Sequence, residues 1–509
     1  MEKRKHVLRG LTSSLVMALA LQVMPVSLFS HSAMAQTTSS VFNPPVVETS
    51  LPQKSIQTLA STVNPGNLKV FNGPNRYATA TYISKATYTM ADTVILVQGT
   101  NFPDALSAGP LAYALNAPIL LTSTTELSAD TRQEMVRLGA TKVIILGGLS
   151  AISSSVESEL NSLGYNVERI SGSDRYETAL KVAIRLRASN VITSAAVLTA
   201  GDQFADALSA GSMAAKKGYP VLLTDGKTLS KSVIDHLVSN RIKTVYIIGG
   251  YLAIDQGMEK ILTDAGIAAV RINGADRIET STMIADQFFR TRKAVIANGW
   301  SFVDALAATP FAAKNDAPIL LVKQDDLSDK VIEYVSYYEC TDLFVAGGDL
   351  VVSSPVRERL ADLIAVETFT IRVKNTDGTY SNQYISARVN KEYAKQAFDL
   401  QNQHRVKNGR VPLAWDERYY DAAKVRAVEL SILFSHTRPD GRNCLTIGPD
   451  LNLTGENAAA GHPTPEAVIY AYSQSEGHNA NMLRTVFSKS AIARVQVNQF
   501  PYWITLFGN

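Results

Sequence analysis

Four short motifs recur in the same order three times along this chain, and that repeat limits the fold more than any other feature. The first is Gly73-Pro74-Asn75-Arg76-Tyr77, then Gly172-Ser173-Asp174-Arg175-Tyr176, then Gly274-Ala275-Asp276-Arg277-Ile278. The second is Phe102-Pro103-Asp104-Ala105-Leu106-Ser107-Ala108-Gly109, matched by Phe204-Ala205-Asp206-Ala207-Leu208-Ser209-Ala210-Gly211 and by Phe302-Val303-Asp304-Ala305-Leu306. The third is Pro118-Ile119-Leu120-Leu121, with Pro220-Val221-Leu222-Leu223 and Pro318-Ile319-Leu320-Leu321. Gly147-Gly148, Gly249-Gly250 and Gly347-Gly348 close the series, so one structural unit of about one hundred residues is written three times.

Within the first copy, 93–97, 119–122 and 143–146 read as buried strands, and 105–115, 129–138 and 155–163 as helices. Continuous apolar strands alternating with helices predict a parallel sheet covered on both faces, with its strand-end loops gathered on one edge where ligands bind. Asp104, Asp206 and Asp304 stand just before a helix, where an N-cap and a ligand contact are both open. The Gly pairs follow a strand and suit a tight turn better than a phosphate cradle, because no GxGxxG or GKS/T pattern accompanies them. Arg76, Arg175 and Arg277 could pair with an Asp of their own or a neighbouring repeat, or meet an anionic polymer.

Taken together, the motifs resemble the type 2 cell-wall-binding repeat of clostridia and bacilli, over roughly residues 68–364. The resemblance implies three Rossmann-like α/β modules packed as a pseudo-threefold unit that grips an anionic wall polymer, teichoic-acid-like or polysaccharide. By position it makes Arg76, Arg175, Arg277, Asp104, Asp206, Asp304, Pro118, Leu120, Leu121, Pro220, Leu222, Leu223, Pro318, Leu320 and Leu321 the binding candidates. Repeat three departs, with Ile278 for Tyr and Ala307-Ala308-Thr309 for Ser-Ala-Gly, which leaves its share of binding open.

After residue 390 the texture changes. Helical spacing covers 392–407 and a second helix 416–434; 502–508 reads as a strand. Between them lie Phe434-Ser435-His436, Gly455-Glu456-Asn457-Ala458 and Ser475-Glu476-Gly477-His478-Asn479-Ala480-Asn481. Two His and a Glu flanked by Gly could converge as a zinc set or an acid-base pair, or the two His could hold loops by hydrogen bonds; no HExxH or Ser-His-Asp pattern decides.

With Asn402-x-x-Arg405 and Leu413-x-Trp415, these motifs resemble the bacterial branch of the CAP (SCP) superfamily. That implies an α-β-α sandwich whose cleft takes His436, Glu456 and His478 and holds a divalent cation, zinc or magnesium, in some members. The resemblance brings no settled activity; an enzyme here would be a hydrolase or peptidase working through the cleft. Tyr472 replaces the usual bacterial Trp, Asn479 the usual Arg, and Ser475 a second cleft Glu of the eukaryotic branch, for which Glu476 is the nearest substitute.

The start of the chain reads as a signal peptide: Lys3, Arg4, Lys5 and Arg9, an apolar stretch from 11 to 29, and Ala33-Met34-Ala35. An uncleaved anchor is the alternative, interrupted by Ser13, Ser14, Gln22, Pro25 and Ser27. The chain's formal charge of +3 equals that of the leader, so the remainder is near neutral; global charge then draws it to neither nucleic acid nor an acidic polymer, and local basic groups must do so. Two distant cysteines, Cys340 and Cys444, exclude a disulfide scaffold. The expected organisation is leader 1–35, Ser/Thr/Pro-rich linker 36–67, repeats 68–166, 167–268 and 269–365, linker 366–390 and CAP domain 391–509. A secreted Gram-positive wall protein that needs no cofactor for retention and has no membrane span after cleavage is the expectation. A wall-targeted hydrolase and a solute or nucleotide receptor are its rivals, the last disfavoured by the missing phosphate fingerprint.

Overall fold

The computed structural model describes residues 66–100, 103–301 and 303–509, with the backbone of 37–38 and 62–64. The leader, and the motif residues Phe102 and Phe302, lie outside the described residues. Among those described, no helix is long and apolar enough to cross a membrane.

Three four-stranded parallel sheets form the first part. In the first, the strands run in the order Ile119–Thr122, Thr93–Gln98, Lys142–Leu146, Asn166–Ile170, and the helices Ala129–Leu138 and Ser154–Ser162 match the periodic stretches of the sequence. The second sheet has the same order with Val221–Thr224, Ala195–Ala200, Thr244–Ile248 and Ala268–Ile272. The third combines Ile319–Val322, Lys293–Asn298 and Asp342–Ala346 with Asn67–Phe71, a strand from the beginning of the first repeat. Each repeat thus opens with the strand that completes the preceding repeat's sheet, and the first repeat's opening strand closes the circle on the third.

Helix packing follows the same cyclic rule. Helices Arg76–Thr87, Arg175–Ala188 and Arg277–Phe288 dock on the central helices of the preceding repeat, respectively Val303–Lys314, Ala108–Ala114 and Phe204–Lys217. Those three central helices also pack on one another. Their close approach explains the small residues of the second motif: a Cβ on Gly109 would lie 2.6 Å from the Thr309 methyl, and one on Gly211 3.1 Å from it. Thr309, where the other repeats have Gly, fills the space the two glycines leave. Gly109→Ala is therefore expected to destabilise the ring by about 1–3 kcal/mol, the usual scale of overpacking. The double variant with Thr309→Gly should regain most of that in thermal unfolding; independent, additive losses would show that the two positions do not share the space.

The C-terminal part is an α-β-α sandwich. Its antiparallel strands follow the order Leu453–Ala460, Phe500–Gly508, Lys489–Val497, Tyr380–Val389, Val366–Lys374. Alternation along Lys489–Val497 sends Ala491, Ala493 and Val495 towards helix Glu417–Leu430 and Ile492 towards helix Lys391–Lys407, so the helices cover opposite faces. Residues 366–390, expected as a linker, are a correction: they form a hairpin of this sheet, because Phe369 and Ile371 alternate into its core. Only the tip, where Gly378 has φ +83°, is the expected turn. The helices start on side-chain caps, Asn390 accepting from the Tyr393 amide and Asp416 from the Arg418 amide.

The two parts touch through the third repeat. Arg388 donates to the Cys340 carbonyl at 2.6 Å, Asn390 to the Ser336 hydroxyl at 2.8 Å, and Arg359 pairs with Glu392 at 2.8 Å. Cys340 and Cys444 are both free.

Candidate functional site

At the strand-end edge of the ring, each recurring arginine begins a helix behind a capped turn, Asn75, Asp174 and Asp276 each accepting an amide at 2.8 Å. Arg76, Arg175 and Arg277 donate to the carbonyls of Gly99, Gly201 and Gly299 at 2.6, 2.7 and 2.6 Å, tying helix to strand-end loop within one repeat. Their charge acts across the repeat boundary: Arg175 stabilises the ionised Asp104, Arg277 Asp206, and Arg76 Asp304. The sequence left own and neighbouring repeats open, and the cyclic packing selects the neighbour.

The three aspartates are held above the ordinary carboxylate range, first by burial, against the arginine's pull; Asp304 reaches about 6. Asp206 and Asp304 lie inside the first turn of their helices and Asp104 in the short 3-10 turn Pro103–Ala105, while Gln203 occupies the cap of the second helix. The N-cap reading therefore gives way to acids, Asp304 buried and Asp104 and Asp206 half-buried, that face a neighbour's arginine. The Gly pairs supply the room. Gly147, Gly249 and Gly347 have φ of +110°, +122° and +107°, and a Cβ on each would meet the Asp carboxylate at 2.7–2.8 Å.

The third motif is withdrawn from the surface. Pro118, Leu120, Leu121, Pro220, Leu222, Leu223, Pro318, Leu320 and Leu321 are all buried, most of them in the sheet cores, so a polymer finds none of their side chains to touch. Continuous apolarity marks a strand covered on both faces, which is the opposite of a contact surface.

In the sandwich, strand Leu453–Ala460 carries Glu456 and the loop after helix Glu417–Leu430 carries His436. His436 Nδ1 is 2.8 Å from Glu456 Oε1, and Arg426 Nε is 2.9 Å from Glu456 Oε2. Arg426 also binds the Ser435 carbonyl and lies 3.4 Å from Glu429, which pairs with Arg438 at 2.7 Å. Burial holds the Glu429 carboxyl above its usual range even so. The acid that shares Arg426 with Glu456 is Glu429, one helical turn along the same helix, rather than Glu476. Glu476 is exposed in the first turn of helix Glu476–Leu483, and Ser475 precedes that helix.

A hairpin brings a thiol to the same place: Thr437 bridges Asn443, and the Cys444 amide donates to the His436 carbonyl at 2.9 Å. Among the described residues the donors that converge for a metal are His436, Cys444 and Glu456, all within 4.8 Å of one another. His478, expected in this set, stands outside it. Its ring is fully buried against Tyr472, centroids 5.0 Å apart, and its carbonyl accepts from Asn457 at 3.0 Å. Burial pushes the Cys444 thiol up to about 12, with the Glu456 charge adding to it. The remaining motif residues are clamps: Asn402 bonds both main-chain groups of Leu413, and buried Arg405 donates to the carbonyls of Val411, Met482 and Arg484. Asn479 Oδ1 accepts a 2.8 Å bond from His404 Nε2, which occupies it within the fold.

Two family descriptions match the chain: cell wall binding domain 2 (CWB2) over residues 71–157, 169–259 and 271–357, and the cysteine-rich secretory protein family over residues 398–507. The chain is similar to N-acetylmuramoyl-L-alanine amidase LytC of Bacillus subtilis (strain 168), 32% identical over 333 residues that make up 65% of this chain and 66% of that protein. It is also similar to Amidase enhancer of the same organism, 31% identical over 326 residues, 64% of this chain and 43% of the relative. The solved structure of Cwp8 from Clostridium difficile superposes with a TM-score of 0.53 at 30% identity, covering 58% of this chain and 52% of that one. The chain spans no more than about two thirds of the length of any of the three. With three matched copies arranged as one ring and a matched sandwich after them, this chain belongs to the cell wall binding domain 2 family and carries a cysteine-rich secretory protein (CAP) domain behind its three repeats.

Proposed function

We propose that this is a secreted surface protein of a Gram-positive bacterium, held non-covalently on an anionic wall polymer by its three repeats and displaying the CAP domain outward. The observation that carries this reading is the set of three arginines on one edge of the ring, each at a boundary between repeats. Three weak contacts to a repeating polymer act at high effective concentration, so retention exceeds what any single contact gives. The amidase and amidase enhancer named above fit a wall setting, and retention itself requires no chemistry.

Sedimentation of the full chain, freed of its leader, with purified Gram-positive walls tests the proposal. Binding is expected to disappear when acid extraction removes the anionic polymers; binding that survives extraction would overturn the polymer assignment.

A second reading, a wall-targeted hydrolase, is favoured by the convergence of His436, Cys444 and Glu456. Those residues would hold a divalent cation, and a thiol with an imidazole suits zinc better than magnesium. Bound there, zinc would supply Lewis-acid polarisation of a substrate carbonyl. The chain's own part is to orient Glu456 through Arg426 and to keep the thiol out of water.

A further inference from the structure

The three arginine sites are not equivalent, and strand register shows where they differ. Gln98, Ala200 and Asn298 pair with Thr122, Thr224 and Val322, and the next amides, of Gly99, Gly201 and Gly299, donate to those partners' carbonyls at 2.9, 2.8 and 2.9 Å. One residue further, these two adjacent strand ends carry Thr100 and Ser123 in the first repeat, Asp202 and Asp225 in the second, and Trp300 and Lys323 in the third. At these two positions, beside one arginine in each case, the first edge carries no charge, the second two negative charges and the third one positive charge; further along the same loops stand Glu126, Lys227, and Asp325 with Asp326. Asp202, Asp225 and Asp174 all act on Tyr176 beside Arg175, so the second site is acidic at short range. Lys323 has Asp326 at 3.3 Å, but both side chains are 54% exposed, and water screens such a pair.

Trp300 is the other difference. It is 51% exposed, and the Arg277 guanidinium lies 4.8 Å from its ring centroid. Its main chain is fixed: the Trp300 amide donates to Asn298 Oδ1 at 2.7 Å, and Asn298 Nδ2 donates to the Val351 carbonyl at 2.6 Å. In the other repeats the aromatic sits on the helix instead, where a Cβ on Gly99 or Gly201 would come within 3.0 or 2.7 Å of the Tyr77 or Tyr176 ring edge. The third repeat has Ile278, 2% exposed, on its helix. The two departures are one exchange that moves an aromatic from a packed position to the rim.

A half-exposed indole on a fixed main chain, with the Arg277 guanidinium over its ring and Lys323 on the adjacent strand end, is suited to a sugar ring bearing an acidic group: the C–H face of the sugar covers the exposed part of the indole, and the acid meets the cations. We infer that the boundary of repeats two and three is the principal polymer subsite, where an acidic pyranose of the wall polymer stacks on Trp300 and pairs with Arg277 and Lys323. Repeat three, whose departures from the pattern left its binding open, is then the strongest contributor and the Arg175 site the weakest. This rests on the wall-anchor reading, and it favours an acidic polysaccharide over a ring-free poly(glycerol phosphate) chain.

The test is the wall-sedimentation isotherm of the full chain against three variants whose circular dichroism matches the parent. Trp300→Thr, which installs the first repeat's residue, should weaken binding about tenfold, a loss of about 1.4 kcal/mol. Trp300→Phe should restore most of that, and Asp202→Asn should strengthen binding severalfold by removing a repelling charge. If the parent binds and Trp300→Thr binds equally well, or Trp300→Phe is as weak as Thr, the subsite is wrong while the anchor stands. If the parent itself does not sediment with walls, the anchor fails and the subsite with it.

Discussion

Phe71→Ala is expected to unfasten the third sheet while leaving the first intact. Phe71 is 2% exposed at the end of strand Asn67–Phe71, packed edge-on against Phe311 at 5.1 Å and stacked with Phe344 at 6.5 Å. Both partners belong to the third repeat, although Phe71 is read from the beginning of the first. Truncating a buried phenylalanine typically costs about 3–5 kcal/mol. The strand it anchors also accepts, at the Phe71 carbonyl, the amide of Gly347 at 2.9 Å, which shapes the turn over Asp304. Amide hydrogen exchange of the full chain reads the outcome directly. Protection should fall in Asp342–Ala346 and remain in Thr93–Gln98; loss confined to the first sheet would refute the cyclic closure.

Arg426→Met should be the most damaging single change in the CAP domain. Arg426 is fully buried and sits between two buried carboxylates, Glu456 at 2.9 Å and Glu429 at 3.4 Å. Removing one partner of a buried ion pair leaves a charge without compensation and typically costs about 3–5 kcal/mol, whereas neutralising both sides is far milder. Exchange of the Leu453–Ala460 amides should therefore accelerate strongly in Arg426→Met and recover in the double variant with Glu456→Gln. The sign of the pH effect follows from Glu429. Burial already raises its folded pKa, and losing Arg426 raises it further, so the folded variant holds a proton more readily than the unfolded chain. The deficit should shrink as pH falls through that raised pKa and be greatest above it. A deficit independent of pH, or no rescue by Glu456→Gln, would show that Arg426 acts by volume alone.

Local patterning was enough for much of the architecture. The helices Ala129–Leu138 and Ser154–Ser162 and the strands of the third motif follow from apolar period and β-branched runs, because those residues are buried by neighbours within the same repeat. The same apolar pattern reports burial and says nothing of a binding role. Pro118-Ile119-Leu120-Leu121 and its copies looked like a site because they recur, yet they recur because a doubly covered strand admits little else. Residues 366–390 looked like a linker because a hairpin on the margin of a sheet carries only a few inward residues, Phe369, Ile371 and Ala387 among them.

In the CAP domain the motif positions of His436 and Glu456 led to the right place, and their contact is real at 2.8 Å. Glu429 was visible only as an ordinary helical glutamate; the i, i+3 pair Arg426 and Glu429 was the one available signal, and such pairs are usually solvated surface. Nothing in the sequence around Cys444 marks it as a donor, since its approach to Glu456 depends on a hairpin turning at Gly441, φ +85°.

Residue order is enough to show that one α/β unit is repeated three times, that an α-β-α domain of a different kind follows, and which residue types stand at the strand ends. Tertiary structure alone decided the partners: Asn67–Phe71 closing the third sheet, each arginine facing the preceding repeat's aspartate, and Cys444 replacing His478 beside Glu456. Period and motif report how a residue meets its near neighbours along the chain, whereas these contacts join residues tens to hundreds of positions apart, and only the packed ring and sandwich bring them within reach.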